Sequence, residues 1–400
     1  MKYKLNELHA TPFNRLEKFL SPIPINKEFK LIDLSMGQPH HPMPQIMFDR
    51  LNECQDLWNL YPPVNATLEY RETVTKWLNK RYNLADGLVN PQYILPLSGT
   101  REGLFTIIQA IDAYMEGQKP LVVGIPNPCF QTYQAAVAMC GGTILPLNAY
   151  EEDNFLPSLD LFTSEFCQKL SALYVCTPTN PQGSFADYGY IEAMVKFAQK
   201  YNFIAVFDHC YSEIYNNEPP IGALEIINDL NLSLKNIIVL HSLSKRSSAA
   251  GLRSGFVTGD PDIIQLYSKI RSYSCAGMPL PIVEASIALL HDESHVVENR
   301  NLYKEKFKVA EEIFADYPKF KNTMGGIFLW LKVNNSEVIC EELWKNDFIK
   351  VLPGNFMTLD DENGDNIGKQ YIRIAMIHDL PTMSEALLKI RLRIKNVENC

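Results

Sequence analysis

The chain has 400 residues, of which 46% are hydrophobic and 21% charged, and its formal net charge is −9. This is enough chain for one large and one smaller domain; it excludes disordered and fibrous classes, and the acidic balance argues against a general attraction to nucleic acid or anionic membrane. Met1 to Leu20 mixes Lys2, Lys4, Glu7, Arg15 and Glu17 among apolar residues, and no run approaches the roughly 18 to 20 apolar residues of a membrane helix, so neither a signal peptide nor a span is expected and the protein is placed in the cytoplasm.

Taken from the N-terminus, residues 1–44 carry too little pattern to fold alone and are expected to pack on a small domain. Next comes Ser98-Gly99-Thr100-Arg101, followed by EGLFTIIQAIDAY, whose apolar residues recur at helical spacing. Glycine lets backbone amides approach an anion, and a helix N-terminus presents unpaired N–H groups with a favourable dipole; alone, the same residues are an ordinary helix cap. Between Leu121 and Gly259 four apolar runs, LVVGI, SALYVCTP, FIAVFD and NIIVLHS, alternate with helical stretches such as YIEAMVKFAQKY. Runs so uniformly apolar have no wet face, which predicts an α/β fold with a parallel sheet covered on both sides.

Polar residues collect just after these runs, at Thr177 to Gly183, Asp208 to Tyr211 and Ser242 to Arg253. Ligands in open parallel sheets bind beyond the carboxyl ends of strands, so three such stretches predict one shared pocket. After about Cys275 the pattern changes to a long charged helical stretch, Pro281 to Tyr317, then GGIFLWLKV and KQYIRIAMI as strands of a different sheet. The expected division is 1–44, 45–275 as the large domain and 276–400 as a smaller α+β domain. Nine scattered cysteines with no CxxC pair and no His cluster predict reduced thiols and no metal site.

The chemistry centres on Lys245, in HSLSKRSSAAGLRSGF, where a lysine leaves a buried strand and enters a loop of small residues. Desolvation and a nearby cation both disfavour its ammonium form, and imine formation with an aldehyde needs the neutral amine. Arg253 and Ser242 offer charge and hydrogen bonds for a phosphate dianion. A lone loop lysine is usually just solvated; the spacing of Ser, Lys and Arg together points to chemistry. Asp208, ending FIAVFD, could hold a pyridine nitrogen protonated so that the ring draws electrons from a substrate carbanion, or could merely cap a helix; Tyr211, three residues on, could donate to the ring's phenolic oxygen.

With these residues in place, the chain resembles class I/II aminotransferases of fold type I along nearly its whole length, which implies pyridoxal 5'-phosphate as cofactor and a mainly parallel seven-stranded sheet in the large domain. The family's Asn-Pro-x-Gly loop matches Asn180-Pro-Gln-Gly183. The resemblance gives Asn180 to the cofactor's phenolic oxygen and Phe130, in PNPCFQTY, to stacking on its ring. It gives Gly99, Thr100, Arg101, Ser242 and Arg253 to the phosphate, and Tyr61, in LYPPV, to the phosphate of a neighbouring subunit, hence a homodimer with shared active sites. Arg373, in QYIRIA, and Gly37, in LSMGQPHHPMP, match residues that hold the substrate carboxylate. Lys245 is then both the imine lysine and the proton carrier between amino acid and 2-oxo acid substrates.

Several longer stretches, among them TPFNRLEKFL, SGTREGLF and VLPGNFM, resemble the bacterial succinyldiaminopimelate aminotransferase subgroup of lysine biosynthesis, with 2-oxoglutarate as acceptor. His209 departs from it, standing where an acid is expected and reading as a core histidine, and so does Ala66, where glycine is common. The rival readings are an aspartate or broad-specificity aminotransferase, a C–S lyase of the same fold, and a regulator that kept the fold without the reaction.

Overall fold

All four apolar runs become strands of one sheet in a computed structural model that describes residues 8, 10–26, 28–275, 277–361 and 363–398. Lys2, Lys4, Glu7 and Cys400 lie outside the described residues. In chain order the strands are β1 (Ile32–Asp33), β2 (Leu95–Leu97), β3 (Val122–Asn127), β4 (Thr143–Asn148), β5 (Ala172–Cys176), β6 (Ile204–Asp208), β7 (Ile237–Ser242), β8 (Gly255–Gly259), β9 (Phe328–Lys332), β10 (Ile349–Lys350), β11 (Leu352–Pro353) and β12 (Tyr371–Ala375).

The large sheet has seven strands in the order β2-β8-β7-β6-β5-β3-β4, and β8 alone runs against the others. Every residue of β5, β6 and β7 is buried, as runs without a wet face require. Their side chains alternate between two cores. Leu173, Val175, Ala205, Phe207 and Val239 face helices that include Leu68–Tyr82 and Tyr188–Tyr201. Tyr174, Val206, Ile238 and Leu240 face Thr100–Met115, Gln131–Met139 and Pro261–Ser274. Fully burying one such side chain contributes roughly 1.5–3 kcal/mol, which makes the sheet a rigid base for the loops at its carboxyl edge. Cys176 pairs with Asp208 and Asp208 with Leu240 in register, so the segments after β5, β6 and β7 emerge side by side.

The C-terminal part is built on a second, antiparallel sheet in the order β11-β12-β9, packed on the helices Ser294–Ile313, Ser336–Asp347 and Leu380–Glu398. The N-terminal segment is tied to it twice. Strand β1 pairs in parallel with β10, and the helix Pro12–Leu20, capped by Thr11, buries Leu16 and Leu20 against Trp330, Leu352 and Phe356.

The single helical stretch expected from Pro281 to Tyr317 is two helices, Leu280–His291 and Ser294–Ile313. Asp292 breaks it: its carboxylate accepts from the N–H groups of Ser294 and His295, where a new helix begins. The first of the pair is apolar nearly all round and sends Val283, Ala285 and Leu289 into the core of the large sheet. The change of core therefore falls after His291, later than the boundary expected at Cys275. Among the described residues, Cys54, Cys129, Cys167, Cys176, Cys210, Cys275 and Cys340 are free thiols, no three acidic, His or Cys side chains cluster to hold a metal, and no helix is long and apolar enough to cross a membrane.

Candidate active site

Lys245 lies in the short helical turn Leu243–Arg246, which begins where β7 ends because Ser242 turns its hydroxyl back to accept from the Ser244 N–H at 3.1 Å. Its amine donates to the Gly37 carbonyl. Burial pushes that amine down to about 8, and the charges of Arg373, Arg101 and Arg253 push the same way, against an opposing contribution from Cys210. A half-buried lysine so depressed yields the neutral amine near neutral pH far more readily than a solvated one.

Asp208 stands at the end of β6 with its side chain buried. One carboxylate oxygen accepts from Tyr133 Oη at 2.6 Å and the other from the Cys210 N–H at 3.1 Å. Burial raises its pKa, while the hydrogen bonds from Cys210 and Tyr133 lower it. Among the described residues no cation pairs with it, which leaves the carboxyl open to a positively charged partner. Tyr133 stacks on Tyr174 with ring centroids 4.2 Å apart and meets Phe130 edge-on at 6.0 Å, so Phe130 and the carboxyl of Asp208 share one helix, Gln131–Met139, as their support.

A second corner gathers anion-binding groups. Gly99 precedes the helix Thr100–Met115 at φ 81°, and a Cβ there would run into the Arg253 guanidinium, so glycine is needed for both conformation and space. Arg253 donates to the carbonyls of Ala250 and Ser98, each at 2.9 Å, and no carboxylate pairs with it among the described residues. Arg101 places its guanidinium 5.3 Å from the Phe130 ring centre. Thr100 shares a hydrogen bond with Cys210 Sγ at 2.8 Å, which joins this corner to the Asp208 loop.

Opposite lies Arg373, on β12 and only 4% exposed. It donates to the Ser35 carbonyl at 2.6 Å and to Asn180 Oδ1 at 3.3 Å, stacks 4.1 Å over Phe328, and leaves its buried Nε without a partner. Among the described residues it has no carboxylate, and burial lowers its pKa to about 10. A buried guanidinium without an acid is costly unless an anionic ligand completes it. Phe328 also crowds Gly37, where an added Cβ would strike the ring, so the carbonyl facing Lys245 can approach only because residue 37 is glycine. Tyr211 is buried edge-on to Phe328, 6.1 Å between centroids.

The structure thus brings together Gly37, Gly99, Thr100, Arg101, Phe130, Asn180, Asp208, Tyr211, Ser242, Lys245, Arg253 and Arg373. Tyr61 is apart from them, 95% exposed on the surface. His209 points away from the site into a cluster with Tyr82 and His241, its Nδ1 3.1 Å from the Thr177 carbonyl, and burial lowers it to about 4, the environment of a neutral core histidine. Tyr133, Phe328 and Cys210 escaped the reading of the sequence. Tyr133 sat in view one helical turn after Phe130, but its partner is 75 positions away, a pairing that spacing cannot show.

Comparison with known proteins gives the site its context. The family model described as aminotransferase class I and II matches residues 30–390. An LL-diaminopimelate aminotransferase of Maridesulfovibrio salexigens is 28% identical over 90% of both chains. A solved aminotransferase of Neisseria meningitidis is 34% identical, superposes with a TM-score of 0.91 and covers 98% of this chain and 100% of its own. The aminotransferase AspB of Helicobacter pylori is 29% identical, with a TM-score of 0.89, over 97% of this chain and 99% of its own. The chain belongs to the class I and II aminotransferases, enzymes dependent on pyridoxal phosphate.

Proposed function

We propose that the enzyme transfers the amino group of a diaminopimelate-type amino acid to 2-oxoglutarate, with N-succinyl-L,L-diaminopimelate as the preferred partner in lysine biosynthesis. The observation that carries the reaction type is the depressed, half-buried Lys245 amine in one site with an Arg373 guanidinium that has no acid among the described residues. The diaminopimelate class is supported by the names of several relatives, including the Maridesulfovibrio salexigens protein.

Pyridoxal phosphate, when bound, supplies the aldehyde that takes up the substrate amine and the ring that accepts the electron pair left at Cα. In this reading the N–H groups at Gly99 to Arg101, with Ser242 and Arg253, would hold its phosphate, Phe130 would cover the ring, Asp208 would pair with the ring nitrogen, and Asn180 and Tyr211 would donate to the phenolic oxygen. Arg373 grips the substrate carboxylate in fork geometry beside Gly37, which fixes the direction of the Cα–H bond. Lys245 takes that proton and returns it one carbon further on, and general acid–base transfer of this kind is worth about a hundred- to ten-thousandfold in rate.

The same reading makes the protein a homodimer in the cytoplasm. Tyr61 is 95% exposed, near Trp58 and Leu60 in the chain, which are exposed as well. Exposed aromatic side chains of this kind suit cover by a second copy, which would also bring Tyr61 to a phosphate. The free thiols suit a reducing compartment. The test is a panel of amino donors, succinyl- and acetyl-diaminopimelate, diaminopimelate, acetylornithine and aspartate, each assayed with 2-oxoglutarate. The highest kcat/KM is expected for succinyl-diaminopimelate; aspartate in first place would establish the broad-specificity reading, and pyruvate with ammonia from cysteine would establish a lyase.

A further inference from the structure

Behind the site, away from the substrate, three buried polar side chains form a chain whose direction can be worked out bond by bond. Asn299, 5% exposed on the helix Ser294–Ile313, donates through Nδ2 to the carbonyls of Lys245 at 2.9 Å and Arg246 at 3.1 Å. Only the amide nitrogen can serve two carbonyls, so Oδ1 must point the other way, and there it lies 2.7 Å from His41 Nδ1. An amide oxygen can only accept. His41 therefore carries its proton on Nδ1, and Nε2 offers a lone pair, which Lys306 meets with its ammonium.

Lys306 is itself unusual: 2% exposed, with no carboxylate in ion-pair range among the described residues, and lowered by burial to about 8. Besides His41 it donates to the Met376 carbonyl at 3.1 Å, three residues beyond Arg373. The His41 carbonyl accepts from Ser248 Oγ at 3.0 Å, on the far side of the Lys245 turn. Residues 37 and 41 thus hold Lys245 from two sides, by its amine through Gly37 and by its turn through His41. Keeping an unpaired cation in the core costs stability, so satisfied geometry rather than ion pairing is what this arrangement supplies.

We propose that Lys306, His41 and Asn299 are positioning residues, a one-way hydrogen-bonded relay that fixes the Lys245 turn relative to the strand carrying Arg373, so that the amine and the carboxylate grip keep register across the two sheets. This rests on Lys245 being the cofactor lysine. Small misplacement of a reacting group is expensive: removing the relay should lower kcat by about ten- to a hundredfold while the KM of the amino donor, set by Arg373, changes by about twofold or less.

The experiment compares Asn299→Leu, Asn299→Asp, Lys306→Met, His41→Phe and His41→Gln with the wild-type holoenzyme for kcat, KM, Tm and the pH midpoint of the cofactor's absorption. Asn299→Asp keeps the acceptor for His41 but turns a carboxylate on two carbonyls, so kcat should fall as far as in Asn299→Leu. His41→Gln, which keeps one donor and one acceptor, should recover part of what His41→Phe loses. Wild-type protein labelled with 15N-histidine should show His41 protonated at Nδ1 alone, a readout independent of activity that stands even where Lys306→Met fails to fold. An Nε2–H tautomer, or variants that lower Tm while kcat and the absorption midpoint stay at wild-type values, would overturn the proposal. Borohydride labelling of the holoenzyme keeps the two ideas apart: a label on another lysine defeats the reading of Lys245 and leaves the tautomer result untouched.

Discussion

The carboxyl edge of the large sheet and the seam beneath the small sheet supply the two halves of the site by different physical routes. At the edge, Asp208 ends one fully buried strand and Lys245 lies in the turn just after its neighbour, so the pairing of Asp208 with Leu240 brings the two ends side by side. At the seam, Gly37, Arg373, His41 and Lys306 come from three chain segments, joined by one backbone hydrogen bond from the Ala375 N–H to the Leu34 carbonyl at 2.8 Å and otherwise by side-chain contacts. The difference teaches that chemistry sits on the stiff element and alignment on the adjustable one, and substitutions should separate the two.

The largest effect should come from the edge. Lys245→Ala is expected to lower kcat by about ten-thousandfold while the fold is retained, checked by single-turnover transamination and circular dichroism. Next comes the seam's own ligand: Arg373→Leu should lower kcat/KM by about a hundredfold, mostly through KM, since a charged hydrogen-bonded grip is worth about 1.5–3 kcal/mol. If Arg373→Leu lowered kcat with KM unchanged, the seam would be part of the chemistry and the contrast would fail.

The contrast also explains which parts the sequence disclosed. Apolar runs made β3, β5, β6 and β7 legible, and with them the places of Asp208 and Lys245, because burial on both faces leaves a direct mark on composition. Arg373 and Gly37 were reached only through family resemblance, since one arginine in a short strand carries no mark of a missing acid partner. Tyr133, His41, Asn299 and Lys306 were not reached at all: each depends on a partner more than 70 positions away or on a carbonyl, which no residue type announces. The helix break at Asp292 was masked because both halves carry apolar residues at helical spacing while facing different cores.

A third prediction sharpens the seam. Lys306 is lowered from 10.5 to about 8, so between those pH values the folded protein binds fewer protons than the unfolded chain, and this group's contribution to stability rises with pH. Urea unfolding of the cofactor-free protein should show wild type gaining on Lys306→Met as pH climbs through that window; a constant difference would mean that Lys306 is not depressed. The smallest effect belongs to the outer clasp. Glu151, joined to Lys321 and to Lys332 at 2.9 Å and accepting from Tyr371 Oη at 3.0 Å, is partly open to solvent, so Glu151→Gln should cost about 1 kcal/mol or less and leave kcat unaltered.

Among the described residues two lysines lack an acid partner and are depressed to about 8, the half-buried Lys245 in the site and the buried Lys306 behind it. Borohydride reduction of the holoenzyme followed by peptide mapping decides between them and every other lysine. The cofactor's mass on the peptide carrying Lys245 is the result predicted; the same mass on Lys306 or any other lysine would contradict the account of the site.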